Sequence, residues 1–326
     1  MTFSPEEIRH LAVSLLTAPT ARDKQARIGA SDMANGCDFH LAEAIQGEPV
    51  QQSDLSKRTW MGAVLGTATH SILESRIQEL RAQFAALEGA ETEKHVIFTT
   101  LAGYGPVGGS IDLLLRTPSA GQIVDWKGST RKKSCLMQDY LAIAQGLEAP
   151  YGRSHKDIKL SEKVYAEEME KVGYKVTGYY GQQTLYMHSG EANSAALVFF
   201  NRDGVGFFDV PELDRYFDPK AVHDVWVLPF AYDENYALAL IARAQEIYDR
   251  LQAGATLGEF ARNPLCFPCS IIPAEPVATT DTELDFLVPP GPLPVDVMGN
   301  ASETDAEFAE IVANFTTTTT TNDPTF

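Results

Sequence analysis

The sequence contains 326 residues, of which 44% are hydrophobic, enough for a sizeable core in one large domain or two smaller ones. Its formal net charge of −18, from 26 basic and 44 acidic residues, argues against broad neutralisation of phosphates, so any contact with nucleic acid requires a local basic strip. The sequence has no apolar run of about 18 residues and no basic segment before a short apolar stretch. These absences argue against a membrane protein and favour a soluble, cytoplasmic one.

Acidic residues are concentrated towards the C-terminal end of the chain. Residues 272–326 contain ten acidic residues, no lysine or arginine, a proline-rich stretch and a run of threonines at 316–321. Such a composition does not bury enough apolar surface to fold. We therefore predict a folded domain over residues 1–271, with a net charge of −8 from 26 basic and 34 acidic residues, and an acidic, disordered tail over residues 272–326.

The first half of the chain is predicted to begin with helices and continue with strands. Ser4-Pro5-Glu6-Glu7 resembles a capping box that opens a helix, a short helix is predicted at residues 41–45, and an apolar stripe predicts a long helix at about residues 60–87. Three β-like segments follow at residues 96–100, 107–115 and 122–127, separated by glycine and proline turn signals. We expect them to form adjacent strands.

The second half of the chain alternates helices and strands. Polar helical stretches are predicted at residues 161–171 and 179–188, strands at residues 196–201 and 222–228, and a final amphipathic helix at residues 236–251. The order of helix, strands, helix, strand and helix predicts an α/β fold in which helices flank a central mixed β-sheet.

Two carboxylates and a lysine mark the predicted strands as a candidate site. Side chains alternate along a strand, so Asp125 and Lys127 share one face while Trp126 points to the other. Asp112 interrupts an apolar strand, where its charge is costly to bury without a partner. If these strands pair, both acids and the lysine converge, and carboxylate oxygens suit a hard divalent cation. The alternative is an ion pair on an edge strand.

Two predicted helices carry further candidate residues. Gly66, His70 and Glu74 follow one line of the long helix at i, i+4 and i+8, so that the small glycine allows close approach and His70 can face a metal. Gln182 and Tyr186 share one face of a later helix. The alternatives are a surface histidine and an ordinary amphipathic helix surface.

The order of these motifs resembles a known superfamily. The chain has G-x-x-x-H, an aspartate in a glycine-rich strand, D-W-K and Q-x-x-x-Y in turn, with Ile111 where the PD-(D/E)XK signature has proline. This order resembles the RecB-type branch of the PD-(D/E)XK nucleases over about residues 60–190. The resemblance implies a restriction-endonuclease-like core and metal-dependent hydrolysis of DNA, by an exonuclease that processes DNA ends in replication, recombination or repair.

The resemblance also implies a role for each matching residue. The implied catalytic residues are His70, Asp112, Asp125, Lys127, Gln182 and Tyr186. By this resemblance the histidine and the two aspartates bind Mg²⁺ or Mn²⁺, and the lysine orients or activates the attacking water. The glutamine and the tyrosine steady the lysine or the DNA strand.

Two alternatives to an exonuclease stay open. One is a structure-specific endonuclease that uses the same residues. The other is a catalytically silent DNA-binding module on a nuclease scaffold, which the intact acids, lysine and histidine disfavour. DNA is the expected substrate, and a helicase, a recombinase or a single-strand-binding protein is a candidate partner. For a phage-encoded nuclease of this type, the compartment is the host cytoplasm.

The four cysteines are too few for a disulfide scaffold, which favours metal binding. Cys37-x-x-His40 and Cys266-x-x-Cys269 form two ligand pairs that can share one structural ion, and three thiolates with one imidazole suit tetrahedral Zn²⁺. The pattern resembles phage-encoded and CRISPR-associated RecB-type nucleases, in which N- and C-terminal cysteines join around an iron–sulfur cluster. Because position 40 is histidine, zinc is favoured over such a cluster. The alternatives are two unrelated pairs, or Cys135 as the fourth thiolate instead of a buried free thiol.

The densest basic cluster in the chain follows the D-W-K strand directly. It consists of Arg131, Lys132 and Lys133. Its position beside the candidate site predicts contact with DNA phosphates. The alternative is a solvated loop with no ligand.

Overall fold

The computed structural model of the protein describes residues 28–47, 57–83, 87–116, 121–201, 225–266 and 269, with only the backbone described at 57–65, 67 and 201. The predicted opening helix and the predicted tail at residues 272–326 lie outside these ranges. Within them, none of the helices combines the length and the apolar character needed to cross a bilayer.

A five-stranded mixed sheet forms the centre of the fold, as the sequence predicts. The strands follow one another across the sheet in chain order: β1 (Glu91–Leu101), β2 (Gly105–Arg116), β3 (Gly121–Ser129), β4 (Ser194–Asn201) and β5 (Val225–Ala231). Strands β3 and β4 are parallel, and the other neighbouring pairs are antiparallel. The parallel pair requires a long crossover, which brings helices onto the sheet.

Helices lie on both faces of this sheet and complete an α/β fold. They are α1 (Ala30–Ala34), α2 (Asp38–Gln46), α3 (Lys57–Leu80), α4 (Arg131–Ala144), α5 (Glu162–His188) and α6 (Glu234–Gln252). Ile123 of β3 packs with Leu197 and Leu185 in the larger hydrophobic cluster, whereas the adjacent Val124 packs with Ile77 of α3 in a smaller one. Successive strand residues point to opposite faces, so the two clusters lie on the two sides of the sheet.

Helix α4 is the main element that the sequence analysis missed. Thr130 caps it by accepting a hydrogen bond from the backbone N–H of Lys133. The basic cluster is therefore the first turn of a helix and not a loop. Buried Cys135, Leu136 and Met137 anchor the helix in the core. The apolar pattern of this helix was not recognised in the sequence because three basic residues stand between the strand and the first apolar position.

Helix α5 is one continuous element of 27 residues, whereas the sequence predicts two shorter stretches. Residues 172–178 lie between those two stretches. In the structure Val172 and Val176, one turn apart, are buried in the core and continue the helix across this segment. Gly173 serves close packing, because a Cβ at this position would lie 2.7 Å from the ring of Tyr140 on α4.

We expect Gly173→Ala to lower the free energy of unfolding by about 1–3 kcal/mol, because the added methyl overpacks the contact between α4 and α5. Gly178→Ala is the matched control on the same helix, where the nearest atom to an added Cβ is 3.8 Å away. Removing a helical glycine there should be neutral or stabilising. Urea denaturation of both variants measures the difference, and equal stabilities would contradict the packing argument.

The remaining elements agree with the sequence in type and differ at their ends. Helix α3 ends at Leu80 instead of residue 87, and β1 begins at Glu91, five residues before the predicted strand. Strand β5 continues to Ala231, three residues beyond the predicted end at 228, and the predicted residues 222–224 lie outside the described part of the chain. The early start of β1 matters for the site, because it makes Glu93 a strand residue.

Candidate active site

One cavity of about 240 Å³ contains all six residues implied to be catalytic. It is lined by Gly29, Ala30, Ser31, His70, Gly109, Ser110, Asp112, Asp125, Lys127, Gln182 and Tyr186. These residues come from the segment before α2 and from α3, β2, β3 and α5, so the cavity is assembled from distant parts of the chain. Polar side chains line it on several sides, as a site for a charged ligand requires.

Three carboxylates lie in a row across three strands at this cavity. Leu113 of β2 pairs with Val124 of β3, and continuing this antiparallel register brings Asp112 next to Asp125. In the pairing of β1 with β2, Thr92 is opposite Leu113 and Lys94 is opposite Ile111, which places Glu93 opposite Asp112. Like charges directly opposite each other are destabilising in a sheet. The row therefore favours a cation.

Glu93 is the site residue that the sequence analysis missed. Ligand atoms of His70, Glu93 and Asp112 all lie within 4.8 Å of one another, a spacing that can hold a metal ion. Glu93 has a φ of 50°, a left-handed conformation that is unfavourable for a residue with a side chain. Only the register between β1 and β2 identifies this residue, and that register requires a strand that starts at Glu91.

His70 faces the carboxylates from α3. Its Nδ1 lies 3.3 Å from Asp112 Oδ1, and its Nε2 lies 3.2 Å from the carbonyl oxygen of Trp126. When Nε2 carries the proton, it donates to this carbonyl, and Nδ1 is then oriented towards the carboxylates as a ligand atom. A hydrogen bond to a backbone carbonyl commonly fixes the tautomer of a metal-binding histidine in this way.

Asp125 is held by two side chains from different elements. It is 4% exposed, and its Oδ1 lies 2.8 Å from Lys127 Nζ. Gln183 Nε2 donates a hydrogen bond of 2.8 Å to its Oδ2. The sequence singled out the neighbouring Gln182, which lines the cavity and hydrogen bonds with Tyr186. The helical phase of α5, with Tyr180, Thr184 and Met187 buried, is the signal that places Gln183 inward.

The pKa values of the two aspartates are shifted in opposite directions. Burial raises the pKa of Asp125 to about 6, with the Asp112 charge adding to this and the Lys127 charge opposing it. Burial also acts to raise the pKa of Asp112, but hydrogen bonds from His70 and Asp125 outweigh it and lower this pKa to about 2. Burial acts to lower the pKa of Lys127, yet the Asp125 charge raises it, so the lysine stays an ammonium group.

Without a metal, Asp125 should make stability fall as pH rises. An unfolded aspartate titrates near pH 3.9, whereas the folded pKa is about 6, so between these values the folded state binds more protons and loses about 2–3 kcal/mol as pH increases. In EDTA, we expect wild type to lose this stability relative to Asp125→Asn between about pH 4 and pH 6. Urea denaturation across this range measures it. A constant difference between the two proteins would contradict the assignment.

A second group of potential ligands joins the two ends of the described chain. The thiols of Cys37, Cys266 and Cys269 are buried and lie within 4.8 Å of one another, with 3.4 Å between the sulfurs of Cys37 and Cys269. The N–H of Asn263 points at Cys37 Sγ from 3.4 Å, and Asn35 Nδ2 lies 3.7 Å from Cys266 Sγ. Such donors stabilise thiolates, the form that binds metals.

The pKa values of the three thiols differ widely. A hydrogen bond with Cys266 is the main cause that lowers the pKa of Cys37 to about 5, and burial raises the pKa of Cys269 to about 12. The same hydrogen bond with Cys37, together with burial, raises the pKa of Cys266. The cluster therefore holds one thiolate readily and resists a second negative charge in the absence of a cation.

The structure does not bring His40 into this cluster. His40 lies in the first turn of α2, and its Nε2 is 3.6 Å from Asp32 Oδ1 on α1, so one ring nitrogen faces this carboxylate. The backbone N–H of His40 instead faces Cys37. Cys135 is also outside the cluster and lies near His155 and Asp157. Of the four predicted ligands, the three cysteines lie together and His40 lies outside their group in the described part of the chain.

The predicted DNA-binding residues lie at the start of α4 and do not line the cavity. Lys133 is exposed, while Arg131 and Lys132 are partly buried. Helix α4 begins two residues after β3, the strand of Asp125 and Lys127, so this basic turn is close in sequence to the site. Contact with phosphate stays a prediction.

Several solved structures are similar to the chain. A protein named SSO0001 is 15% identical, with a TM-score of 0.38 over 74% of this chain and 83% of that one. LHK-Exo in complex with dAMP is 14% identical, with a TM-score of 0.36 and coverage of 70% and 89%. A phage-related exonuclease from Haemophilus somnus 129PT is 17% identical, with a TM-score of 0.28 and coverage of 70% and 95%. No protein-family model and no curated protein matches the sequence.

Proposed function

We propose that this protein is a divalent-metal-dependent DNA nuclease of the RecB-type PD-(D/E)XK kind, acting as an exonuclease on DNA ends. The observation that carries the proposal is the row of Glu93, Asp112 and Asp125 across three strands, with His70 beside Asp112 and Lys127 beside Asp125. Three neighbouring carboxylates on adjacent strands, all buried or half-buried, are costly unless a cation or a proton compensates them. Oxygen ligands with one imidazole suit Mg²⁺ or Mn²⁺.

Each residue of the candidate site has its own role in the proposed reaction. His70, Glu93, Asp112 and Asp125 would hold the cation, and a divalent ion bound there would lower the pKa of a bound water and offset the charge of the scissile phosphate. Lys127 keeps its positive charge next to Asp125 and orients the attacking water beside the phosphate.

Residues around these ligands position them or contact the substrate. Gln183 fixes Asp125 through its amide N–H, and this contact leaves one Asp125 oxygen directed at Lys127. Gln182 and Tyr186 line the cavity opposite the strands and contact the DNA strand. The basic turn at the start of α4 contacts phosphates next to the scissile one.

The cysteine cluster is proposed as a structural metal site separate from catalysis. Three buried thiols with N–H donors around them suit Zn²⁺, and an iron–sulfur cluster is the alternative. The site would tie residue 37 to residues 266–269 and so close the nuclease domain, which we propose to extend over residues 1–271. A helicase, a recombinase or a single-strand-binding protein is the proposed partner type, and the acidic residues 272–326 are proposed to be disordered.

Replacing Glu93 should separate its role from that of its neighbours. We expect Glu93→Gln to weaken Mn²⁺ binding at least about tenfold, because one anionic ligand becomes neutral. Glu91→Gln is the matched control two residues earlier on β1, where the carboxylate pairs with Lys94 and Arg116 at the surface. Isothermal titration measures both affinities. The proposal for Glu93 fails if the two variants bind Mn²⁺ equally well.

The proposed activity is tested with linear and closed circular DNA in the presence of Mn²⁺. An exonuclease degrades the linear form and spares the closed circle, whereas cleavage of both indicates an endonuclease. Asp125→Asn should abolish either activity. Cleavage that survives this substitution overturns the site, and the absence of cleavage with any divalent metal favours a silent DNA-binding module.

A further inference from the structure

A third cluster of metal-ligand side chains lies between α4 and the connection that follows it. Ligand atoms of Cys135, His155 and Asp157 all lie within 4.8 Å of one another. His155 Nδ1 is 3.6 Å from Asp157 Oδ2, and the Cys135 thiol is fully buried. We propose that these three residues bind a Zn²⁺ ion, at a site distinct from the carboxylate row and from the three-cysteine cluster.

The donor set specifies the class of metal. One thiolate, one imidazole and one carboxylate are the ligands that Zn²⁺ takes in proteins, and three such ligands leave a fourth position for water or another donor. Mg²⁺ and Ca²⁺ prefer oxygen ligands throughout, which a cysteine does not provide. The two negative ligands balance the charge of the ion, so the complex can lie at the edge of the core at little electrostatic cost.

One ligand atom has a contact that the ion would replace, because His155 Nδ1 accepts a hydrogen bond of 3.3 Å from the backbone N–H of Asp157. Asp157 Oδ2 is buried and accepts no hydrogen bond within the described part of the chain. The ring of His155 packs edge-on against Tyr151, with 5.0 Å between centroids, and this contact limits its rotation. Burial and the charges of Asp157 and Asp139 raise the pKa of Cys135 to about 12, and the charge of Arg131, one helical turn earlier, opposes them, so the thiol releases its proton when the ion binds.

The surrounding loop is held in place by other means, so the site is preformed. Asp139 accepts hydrogen bonds from the N–H groups of Tyr151 and Gly152 and from the hydroxyl of Tyr165. These three hydrogen bonds make Asp139 the anchor of the connection. A metal at the neighbouring cluster then meets ligands that are already positioned, which lowers the entropic cost of binding.

Zinc content per chain tests the proposal in the full-length protein, after metal removal, reloading with Zn²⁺ and dialysis. His155→Gln should bind one equivalent less than wild type. His188→Gln is the matched control, since His188 hydrogen bonds with Tyr232 away from the cluster, and it should bind as much as wild type. Equal zinc content in wild type and His155→Gln would overturn the proposal.

Further variants test whether the lost equivalent of zinc belongs to this cluster. Cys135→Ser and the double variant Cys135→Ser/His155→Gln should each lose the same single equivalent, while Cys266→Ser should leave that equivalent in place. Loss of two equivalents in the double variant, or of none, contradicts a shared site. Nuclease activity is not used as a readout, so failure of the proposed catalytic function does not affect this outcome.

Discussion

Replacing Lys127 with methionine is expected to reduce kcat for DNA cleavage about 10²–10³-fold, the loss typical of removing one charge-stabilising group from an active site. Lys127 Nζ lies 2.8 Å from Asp125, and the acid pair keeps it charged. Its loss removes a positive charge where negative charge develops, so the effect should fall on kcat more than on KM. Assays at alkaline pH with saturating Mn²⁺ keep Asp125 ionised in the variant.

Lys175→Met is the matched control for this substitution. The ammonium groups of Lys127 and Lys175 both lie over the ring of Tyr179, at 5.6 Å and 5.4 Å from its centroid, but Lys175 is exposed and does not line the cavity. The control should cleave DNA as wild type does. If Lys127→Met retains wild-type kcat, or if both variants lose activity equally, the role assigned to Lys127 is wrong.

The second large effect is expected from Cys266→Ser, which should lower the free energy of unfolding by about 3–5 kcal/mol. A metal bound by the three cysteines joins residues that are more than 220 apart in sequence, Cys37 and Cys266. Losing one thiolate releases the metal and leaves two buried thiols without a shared partner. Urea denaturation in the presence and absence of a chelator measures the change.

Wild-type protein without metal is the reference for the stability of this variant. Wild-type protein stripped of metal should fall to about the stability of Cys266→Ser, and adding zinc should restore wild type alone. A wild-type protein that is indifferent to chelation, and as stable as the variant, would show that the cysteines are ordinary core residues. Metal analysis of the purified protein then distinguishes zinc from iron.

The sequence predicted the α/β architecture because the strands and the helices α3 and α6 have apolar patterns of their own. It also predicted the residues that gather at the cavity, since His70, Asp112, Asp125 and Lys127 occur in an order that resembles a known site. Pattern alone could not reveal Glu93, whose position depends on the register between β1 and β2. Register is set by pairing across the sheet and not by local sequence.

Side-chain direction was the other property that local patterns could not supply. Cys37-x-x-His40 has ligand spacing, but Asp32 on a neighbouring helix faces the imidazole. Gln182 and Gln183 are adjacent, and the packing of α5 decided which of them contacts Asp125. Helix α4 was missed because its first turn is basic, which is unfavourable at a helix N-terminus unless an anion compensates it.

The most direct measurement of the central claim is an anomalous difference map from a crystal soaked in Mn²⁺. We expect a peak between His70, Glu93 and Asp112, within coordination distance of Asp125, and in Asp125→Asn this peak should be lost or much reduced. A map with no peak at these side chains, in crystals of protein that cleaves DNA with Mn²⁺, would contradict the assignment of this cavity as the active site.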